Sequence, residues 1–517
     1  MMKKRKIRDA LSHYIHHDST AQDRTKKVHG KFSNLQTGSI AIVLFVVAFS
    51  LVHMMTPSFG FTWDESVYVL KGLELHNGIS SSSYTANRPI AMALVATKLL
   101  DMGLSTESGF RVFGAFGGAF FIMSLFLLGQ SVFGRLTGFL VSIFWLVSSF
   151  YIMQATFFYA ELFVVGILLL LLLIVKRYYT NSSIYLSVFA ALLCAIAFYF
   201  RYSAIYSITI ILMVTSVRFY YNKNQKLQMS KASQWYFLGT LFALLTPYIA
   251  YVYLQFDTGL IEQFKEAYDI AQEGYVGQAL IAYIFAIPSK ISGLFFGLTI
   301  IFGIIISLIA LGTKKLKLPW NVKWVCGVAI ADFLLISLVA HPNERFIIFP
   351  LALFSIVSIN FFVTKIRLLP EKFFLLTTVL LIVGTGFYLK ENILYVKSLQ
   401  ESLVVKNEIF RSAGAIVRKD HADKPCAVWS VHRPQTAVYT KCTGFRYNDD
   451  TITQQLYLQR DQKKYLIAYP DDDNRIIDPL QDQKSLKDRG VIIDEIHNAQ
   501  KLRIYRLYYA GSDRVGE

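Results

Sequence analysis

The chain has 517 residues, 54% of them hydrophobic, 15% aromatic and only 17% charged, with a mean hydropathy of +0.42. Soluble domains carry about 25% charged residues, and the apolar positions here clump into runs long enough to cross a hydrocarbon layer about 30 Å thick, which excludes a soluble globular protein. The net charge of +17 does not indicate nucleic acid, because the basic residues gather at the N-terminus (Lys3, Lys4, Arg5, Lys6, Arg8, Lys26, Lys27) and in short loops between apolar runs, as on the cytoplasmic side of a membrane.

Residues 1–37 read as a basic cytoplasmic tail, and no small-residue cleavage site follows the apolar stretch 40–52, so the first helix is expected to be retained. Residues 38–390 read as a membrane domain with about eleven spans. These lie near 38–55, 110–129, 136–154, 161–175, 183–200, 203–217, 235–253, 291–311, 323–340, 346–363 and 373–389. Loops 130–135, 176–183, 218–233, 313–323 and 365–372 carry most of the remaining loop Lys and Arg, which places them in the cytoplasm with the N-terminus. An odd number of spans then puts the C-terminal part outside. The sequon Asn181-Ser182-Ser183 falls on the cytoplasmic side of this topology and is not expected to carry a glycan.

Four outer segments follow from that topology. The first, an outer loop at 56–110, is long and holds helical stretches at 65–75 and 90–102 that suit helices lying along the membrane surface. The others are the turn at 157–161, a polar loop at 256–288 with Tyr268, Tyr275 and Tyr283, which suits a mobile loop, and the turn at 341–346. From residue 391 the composition changes. A helix at 393–418 leads into strand-like runs at 426–431, 465–469, 491–496 and 502–508, which together read as a small extracytoplasmic α/β domain of about 125 residues.

Of four cysteines, Cys194 and Cys326 fall inside apolar runs, where small buried side chains are expected. Cys426 opens one strand and Cys442, after 434–441, is placed to open another at 442–445. Neighbouring parallel strands lie about 4.8 Å apart, within the span of a disulfide, and the outer compartment is oxidising. A Cys426–Cys442 bridge is therefore expected, with two unpaired thiols as the alternative. There is no CxxC pair and no zinc-type Cys/His cluster.

Two adjacent acids, Asp64 and Glu65, sit beside Trp63 just past the first span. One carboxylate can take the proton of an acceptor hydroxyl while its neighbour orients the acceptor or a metal; the structural alternative is a helix N-terminus with acids complementing its dipole. On the same side stand Arg88, Arg111, Arg201 and Arg345. Arginines there run against the positive-inside pattern and need partners, and a phosphate at the membrane surface would serve, since guanidinium binds it bidentately. Snorkelling to lipid headgroups is the alternative. Glu161 is a candidate second acid or metal ligand, and His341, near Arg345, a candidate phosphate contact. Asp332, deep in a span, is expected to make a hydrogen bond between helices.

These residues resemble a family. Trp63-Asp64-Glu65, Gly109-Phe110-Arg111-Val112-Phe113-Gly114-Ala115-Phe116-Gly117-Gly118, Val132-Phe133-Gly134-Arg135 with Gly138, and His341-Pro342-Asn343-Glu344-Arg345-Phe346 with Pro350 are similar to motifs of the GT-C membrane glycosyltransferases. The likeness is to the branch of protein O-mannosyltransferases and the lipid A aminoarabinose transferase, over nearly the whole membrane part. It implies a GT-C-like α-helical multi-pass membrane protein that moves a sugar from a polyprenyl-phosphate donor to an acceptor hydroxyl on a glycan, lipid or protein. Transfer would be inverting, on the outer face, with Asp64 as base, Glu65 beside it, and Arg111 and Arg345 toward the donor phosphate. A clear second acidic pair, as in oligosaccharyltransferases, is missing apart from Glu161, which leaves a divalent metal cofactor open. A flippase of lipid-linked glycans would need several ionisable residues deep in its spans, where only Asp332 lies. A non-catalytic envelope scaffold leaves Asp64, Glu65 and the outer arginines without a role.

Overall fold

The computed structural model describes residues 32–56, 59–77, 88–180, 183–221, 231–256, 278–289, 293–312, 320–339, 343–366, 371–422, 424–430, 432–445, 462–469, 491–499 and 502–509. In chain order the first helices are α1 (Phe32–Met54), α2 (Trp63–Asn77), α3 (Ala91–Asp101), α4 (Glu107–Phe133), α5 (Arg135–Leu146) and α6 (Ser149–Ala155). Then come α7 (Glu161–Thr180), α8 (Ile184–Phe200), α9 (Ala204–Tyr221), α10 (Lys231–Phe256), α11 (Gln278–Ser289) and α12 (Gly293–Gly312). They are followed by α13 (Trp320–Val339), a 3-10 turn at Glu344–Ile347, α14 (Ile348–Ile366) and α15 (Glu371–His421). The last elements are β1 (Cys426–Trp429), α16 (Arg433–Thr440), β2 (Thr443–Phe445), β3 (Lys463–Ala468), β4 (Val491–Ala499) and β5 (Leu502–Tyr509). The chain forms two compact units, one of residues 1–56 and 111–396 and one of residues 57–110 and 397–517. The outer segment after the first span thus folds with the C-terminal residues, although it lies next to the membrane part in sequence.

The helical unit is a multi-pass membrane structure. Among the described residues six helices are long and apolar enough to cross a membrane, or seven if one bent pair counts as a single span. Eleven are expected from the sequence, and the runs at 161–175 and 373–389 are helical as well, within α7 and α15. The runs at 183–200 and 203–217 yield the apolar helices α8 and α9, of 17 and 18 residues, slightly short of the roughly 20 residues a straight crossing takes. The run at 136–154 is broken: α5 and α6 meet at 71°, and Ser148 caps the second helix by accepting from the Tyr151 N–H at 3.2 Å. Side chains such as Trp235, Phe242 and Leu254 on α10 stand exposed, as lipid-facing residues do.

Close backbone approach explains two of the motif glycines. A Cβ on Gly138 of α5 would lie 2.6 Å from the Gln130 backbone nitrogen, so α4 and α5 close into a hairpin only with glycine there. A Cβ on Gly114 would stand 1.9 Å from the Phe157 carbonyl oxygen, which brings the turn ahead of α7 against the start of α4. The other end of α4 is marked by Gln130, whose side chain donates to Thr37 at 2.6 Å, and by Arg135, which donates to Gln36 at 3.0 Å. Lys176, near the end of α7, donates to the Ser131 carbonyl at 3.1 Å, so α4 and α7 run parallel and gather these polar residues at one end.

Two further expectations change. The last span and the helix at 393–418 are one unbroken helix, α15, of 51 residues; nothing between them caps or stops a helix, and the glycines at 384 and 386 are tolerated inside it. Part of the segment expected as a polar loop, 256–288, is helical: α11 buries Tyr283, whose hydroxyl accepts from the Asn343 N–H at 3.4 Å. Tyr268 and Tyr275 lie outside the described residues, as does Asn181. Asp332 is completely buried in α13 beside Ser207, yet neither carboxylate oxygen reaches a hydrogen-bond partner among the described residues.

In the second unit α2 packs on α3 and on α16. The sheet has the order β2-β1-β3-β5-β4, with β1 parallel to both β2 and β3, and β5 antiparallel to β3 and β4. Its core is Ala427, Trp429, Leu466, Val491, Tyr505 and Leu507. Residues 426–445 form a strand, a one-helix crossover through α16, and a parallel strand.

Cys426 and Cys442 are joined in a disulfide, Cα atoms 4.8 Å apart, at the start of these two strands, while Cys194 and Cys326 are free and buried. His421 lies against the same sulfurs, and this trio is the one group of His, Cys, Asp and Glu among the described residues that is tight enough for a metal; the bridge consumes its thiols. Denatured, unreduced protein is expected to react with maleimide at two cysteines. Four reactive thiols would rule the bridge out.

Candidate functional site

The predicted site residues separate into two clusters, one in each unit. In the second unit α2 begins at Trp63 after an extended stretch through Phe59–Thr62. Thr62 and Glu65 form a capping box: the Glu65 carboxylate accepts from the Thr62 N–H at 2.8 Å, and the Thr62 hydroxyl accepts from the Glu65 N–H at 3.4 Å. Glu65 is completely buried. Asp64, one residue earlier, points elsewhere. Its carboxylate pairs with Arg88 at 2.6 Å, and its side chain keeps 17% exposure. The two adjacent acids therefore differ in reach: Glu65 holds the helix start, whereas Asp64 is open to a ligand.

Arg88 lies over the Tyr68 ring, 5.8 Å from its centre. Burial works against its charge, but Asp64 and Tyr68 outweigh that cost and hold its pKa above the ordinary arginine value. Asp64 also sits in the first turn of α2, where the helix dipole favours a carboxylate.

In the helical unit Glu161, Arg201 and Arg345 converge. Glu161 opens α7, Arg201 ends α8 in an extended conformation, and Arg345 sits in the 3-10 turn, which Asn343 caps by accepting from the Arg345 N–H at 3.2 Å. The Glu161 carboxylate is 2.5 Å from Arg201 and 3.5 Å from Arg345. Two guanidiniums meet at one carboxylate, and both arginine side chains keep about a fifth of their surface exposed. Phe346 lies under both arginines, 4.5 Å from Arg201 and 5.9 Å from Arg345, and Tyr159 is 5.2 Å from Arg345. Aromatic faces and Ser203, which accepts from the Arg201 Nε at 2.9 Å, fix the guanidinium planes. The arrangement can hold an anion such as a phosphate. It is a poor fit for a divalent cation, because two positive charges already surround the Glu161 carboxylate.

Arg111 is completely buried in α4, and His341 lies outside the described residues. The aromatic partners Tyr68, Tyr159 and Phe346 were missed in the sequence. Their signal was adjacency, since Tyr159 stands two residues before Glu161 and Phe346 directly follows Arg345.

No family model matches the sequence and no curated protein is similar to it. The structure, however, resembles solved ones. ArnT from Cupriavidus metallidurans bound to undecaprenyl phosphate superposes with a TM-score of 0.61 at 11% identity, covering 90% of this chain and 97% of that one. The apo form of the same protein gives 0.61 at 11% identity, covering 92% and 98%. The apo oligosaccharyltransferase of Archaeoglobus fulgidus gives 0.49 at 12% identity, covering 86% and 70%. At such identity the likeness is one of fold: the chain is a multi-pass membrane protein whose fold is like that of ArnT.

Proposed function

We propose that the protein is a membrane glycosyltransferase that moves a sugar from a polyprenyl-phosphate donor to an acceptor hydroxyl, with inversion, on the outer face. The observation that carries this reading is the Glu161–Arg201–Arg345 cluster, two partly exposed guanidiniums gathered at one carboxylate on the helical unit of a membrane chain. The ArnT fold gives it context, because that protein was solved with undecaprenyl phosphate. A polyprenyl phosphate keeps its tail in lipid and its phosphate at the interface, within reach of such arginines.

On this reading Arg201 and Arg345 grip the donor phosphate, with Arg111 and His341 as further candidates. Asp64 accepts the proton of the attacking hydroxyl as the bond from the anomeric carbon to the phosphate oxygen breaks. The phosphate leaves with both electrons of that bond, and guanidinium stabilises its developing charge. Arg88 pairs with the Asp64 carboxylate before the acceptor arrives, and Glu65 supports it through the capping box. The acceptor is a glycan, lipid or protein hydroxyl. The orientation that fits has the polar end with Gln36, Gln130, Arg135 and Lys176 in the cytoplasm with the N-terminus, and the C-terminal domain outside, where the disulfide persists.

Purified protein in nanodiscs is expected to transfer sugar from at least one member of a panel of polyprenyl-phosphate sugars, with products read by mass spectrometry. Binding of polyprenyl phosphate without turnover of any donor would favour a flippase instead. Neither binding nor turnover would leave the scaffold reading.

A further inference from the structure

The peptide that delivers Asp64 is held by side chains far away in the sequence, all within the second unit. The Phe59 carbonyl accepts from the Asn407 side chain at 2.8 Å. The Gly60 N–H donates to one Glu107 oxygen at 2.8 Å. The Phe61 N–H donates to the Tyr439 hydroxyl at 2.9 Å, and that hydroxyl donates to the other Glu107 oxygen at 2.6 Å. Arg411 completes the carboxylate shell, with Nη2 at 2.8 Å and Nε at 3.3 Å from Glu107. With the Thr62–Glu65 capping box, four consecutive residues ahead of Asp64 each have a backbone group fixed by a side chain.

The network is buried except at Arg411, whose side chain is 26% exposed. Phe59, Phe61, Glu107, Asn407 and Tyr439 are all buried. Burial and the Glu107 charge push the Tyr439 hydroxyl well above its ordinary pKa, so it stays a donor to the carboxylate. Gly60 has φ of +83°, and a Cβ there would stand 2.3 Å from the Asn407 Cβ, so the peptide takes this path only with glycine at 60. An irregular segment tied at Phe59, Gly60 and Phe61 by partners 47 to 378 positions away is more than a connector needs, since exposed loops usually leave such groups to water. It is what a side chain requiring placement within about 0.5 Å needs.

We propose that Glu107, Tyr439, Asn407 and Arg411 are positioning residues for Asp64, so that the C-terminal segment sets the geometry of proton acceptance. The proposal rests on the reading of Asp64 given above. It makes the second unit part of the catalytic apparatus, beyond any binding role of its own.

The test is Tyr439→Phe, which removes one oxygen and both of its hydrogen bonds, in full-length protein. Three readouts are taken: kcat and donor KM for transfer, the thermal midpoint, and amide exchange by mass spectrometry over 59–66 and, as a reference, over the β4–β5 hairpin. The expected result is a kcat about tenfold lower or more with donor KM within about twofold, a loss of 1–2 hydrogen bonds' worth of protection confined to 59–66, and an unchanged hairpin. Glu107→Gln, whose amide oxygen still accepts on one side while its NH2 meets donors on the other, is expected to keep only part of the rate that Glu107→Ala loses, and this pair decides the matter if Tyr439→Phe does not fold. His76→Ala, which breaks an exposed ion pair with Asp101 in the same unit, serves as the control.

Wild-type kcat with lost protection at 59–66 would overturn positioning. So would unchanged protection there, or protection lost equally across the hairpin, which marks a structural role only. Asp64→Asn in the same assay keeps the two ideas apart: full activity in that variant overturns the base assignment, whereas an inactive Asp64→Asn beside a fully active Tyr439→Phe overturns positioning alone.

Discussion

Asp64→Asn is expected to lower the rate of sugar transfer by about 10²- to 10⁴-fold while the protein still expresses and folds, the usual loss when a positioned general base is removed. The substitution is nearly isosteric. The amide oxygen can still accept from Arg88, and that pair keeps some contact with water, so the charge left on Arg88 costs far less than in a sealed interior. What is lost is the capacity to take a proton. Glu65 gives the internal contrast. Its side chain is occupied with the Thr62 N–H and has no exposure, so Glu65→Ala is expected to act through helix capping, at about 1 kcal/mol of stability. Glu65→Gln should keep both the cap and most of the turnover. Single-turnover rates at saturating donor, with thermal melts on the same preparations, check all three variants. Near-normal turnover in Asp64→Asn would sink the assignment, and a collapse in Glu65→Gln without a stability loss would move the base to Glu65.

Much of the fold could be read from the sequence because its physics is local. Long apolar runs make helices whatever surrounds them, and the alternation of strand-like runs after residue 425 marks a small α/β sheet. Non-local features could not be read this way. The break between α5 and α6 lies inside an apolar run, and its one local trace is the Ser148-Ser149 pair, a helix-start signal set among hydrophobic residues. The continuity of α15 was obscured by the change in composition near 391, which marks a change of surroundings and not of backbone conformation. The partition into units depends on contacts between segments about 300 residues apart, as in the Asn407 bond to Phe59.

The site divides along the same line. Asp64, Glu161, Arg201 and Arg345 stood out because an acid or an arginine at a membrane surface needs a reason to be there. Glu107, Arg411 and Tyr439 carry no such signal: each is an ordinary polar residue in its own segment, and only the folded chain brings them to one carboxylate. Adjacency also misled. Asp64-Glu65 read as one acidic pair, but successive residues on a helix start point about 100° apart, and the two carboxylates serve different partners.

Arg345→Ala and Arg201→Ala are expected to weaken donor binding by about 10- to 100-fold each, whereas Arg135→Ala leaves it unchanged. The magnitude follows from charge-assisted hydrogen bonds of about 1.5–3 kcal/mol, less the part screened at a partly exposed site. The contrast follows from position. The turn ahead of Glu161 lies against Gly114 near the start of α4, and Arg135 follows the end of that helix, about 30 Å further along at 1.5 Å per residue. There it is bonded to Gln36, in a group that includes the start of the first helix. The single variants should differ from each other as well. Removing Arg201 takes away the closer partner of the nearly buried Glu161 at 2.5 Å, leaving Arg345 at 3.5 Å; some stability is then lost along with affinity. Removing Arg345 leaves the closer pair intact, so its effect on affinity is the cleaner measure of phosphate binding. Arg345→Lys keeps the charge but not the planar fork or the stacking on Tyr159, and should fall between wild type and alanine. Arg111→Ala is also expected to weaken donor binding, but it empties a completely buried position and needs a melting curve beside it. Dissociation constants for a polyprenyl phosphate in nanodiscs measure all of these. Equal losses at Arg135, Arg201 and Arg345 would mean that the arginines act through the overall charge of the protein, and the phosphate site would have to be sought elsewhere.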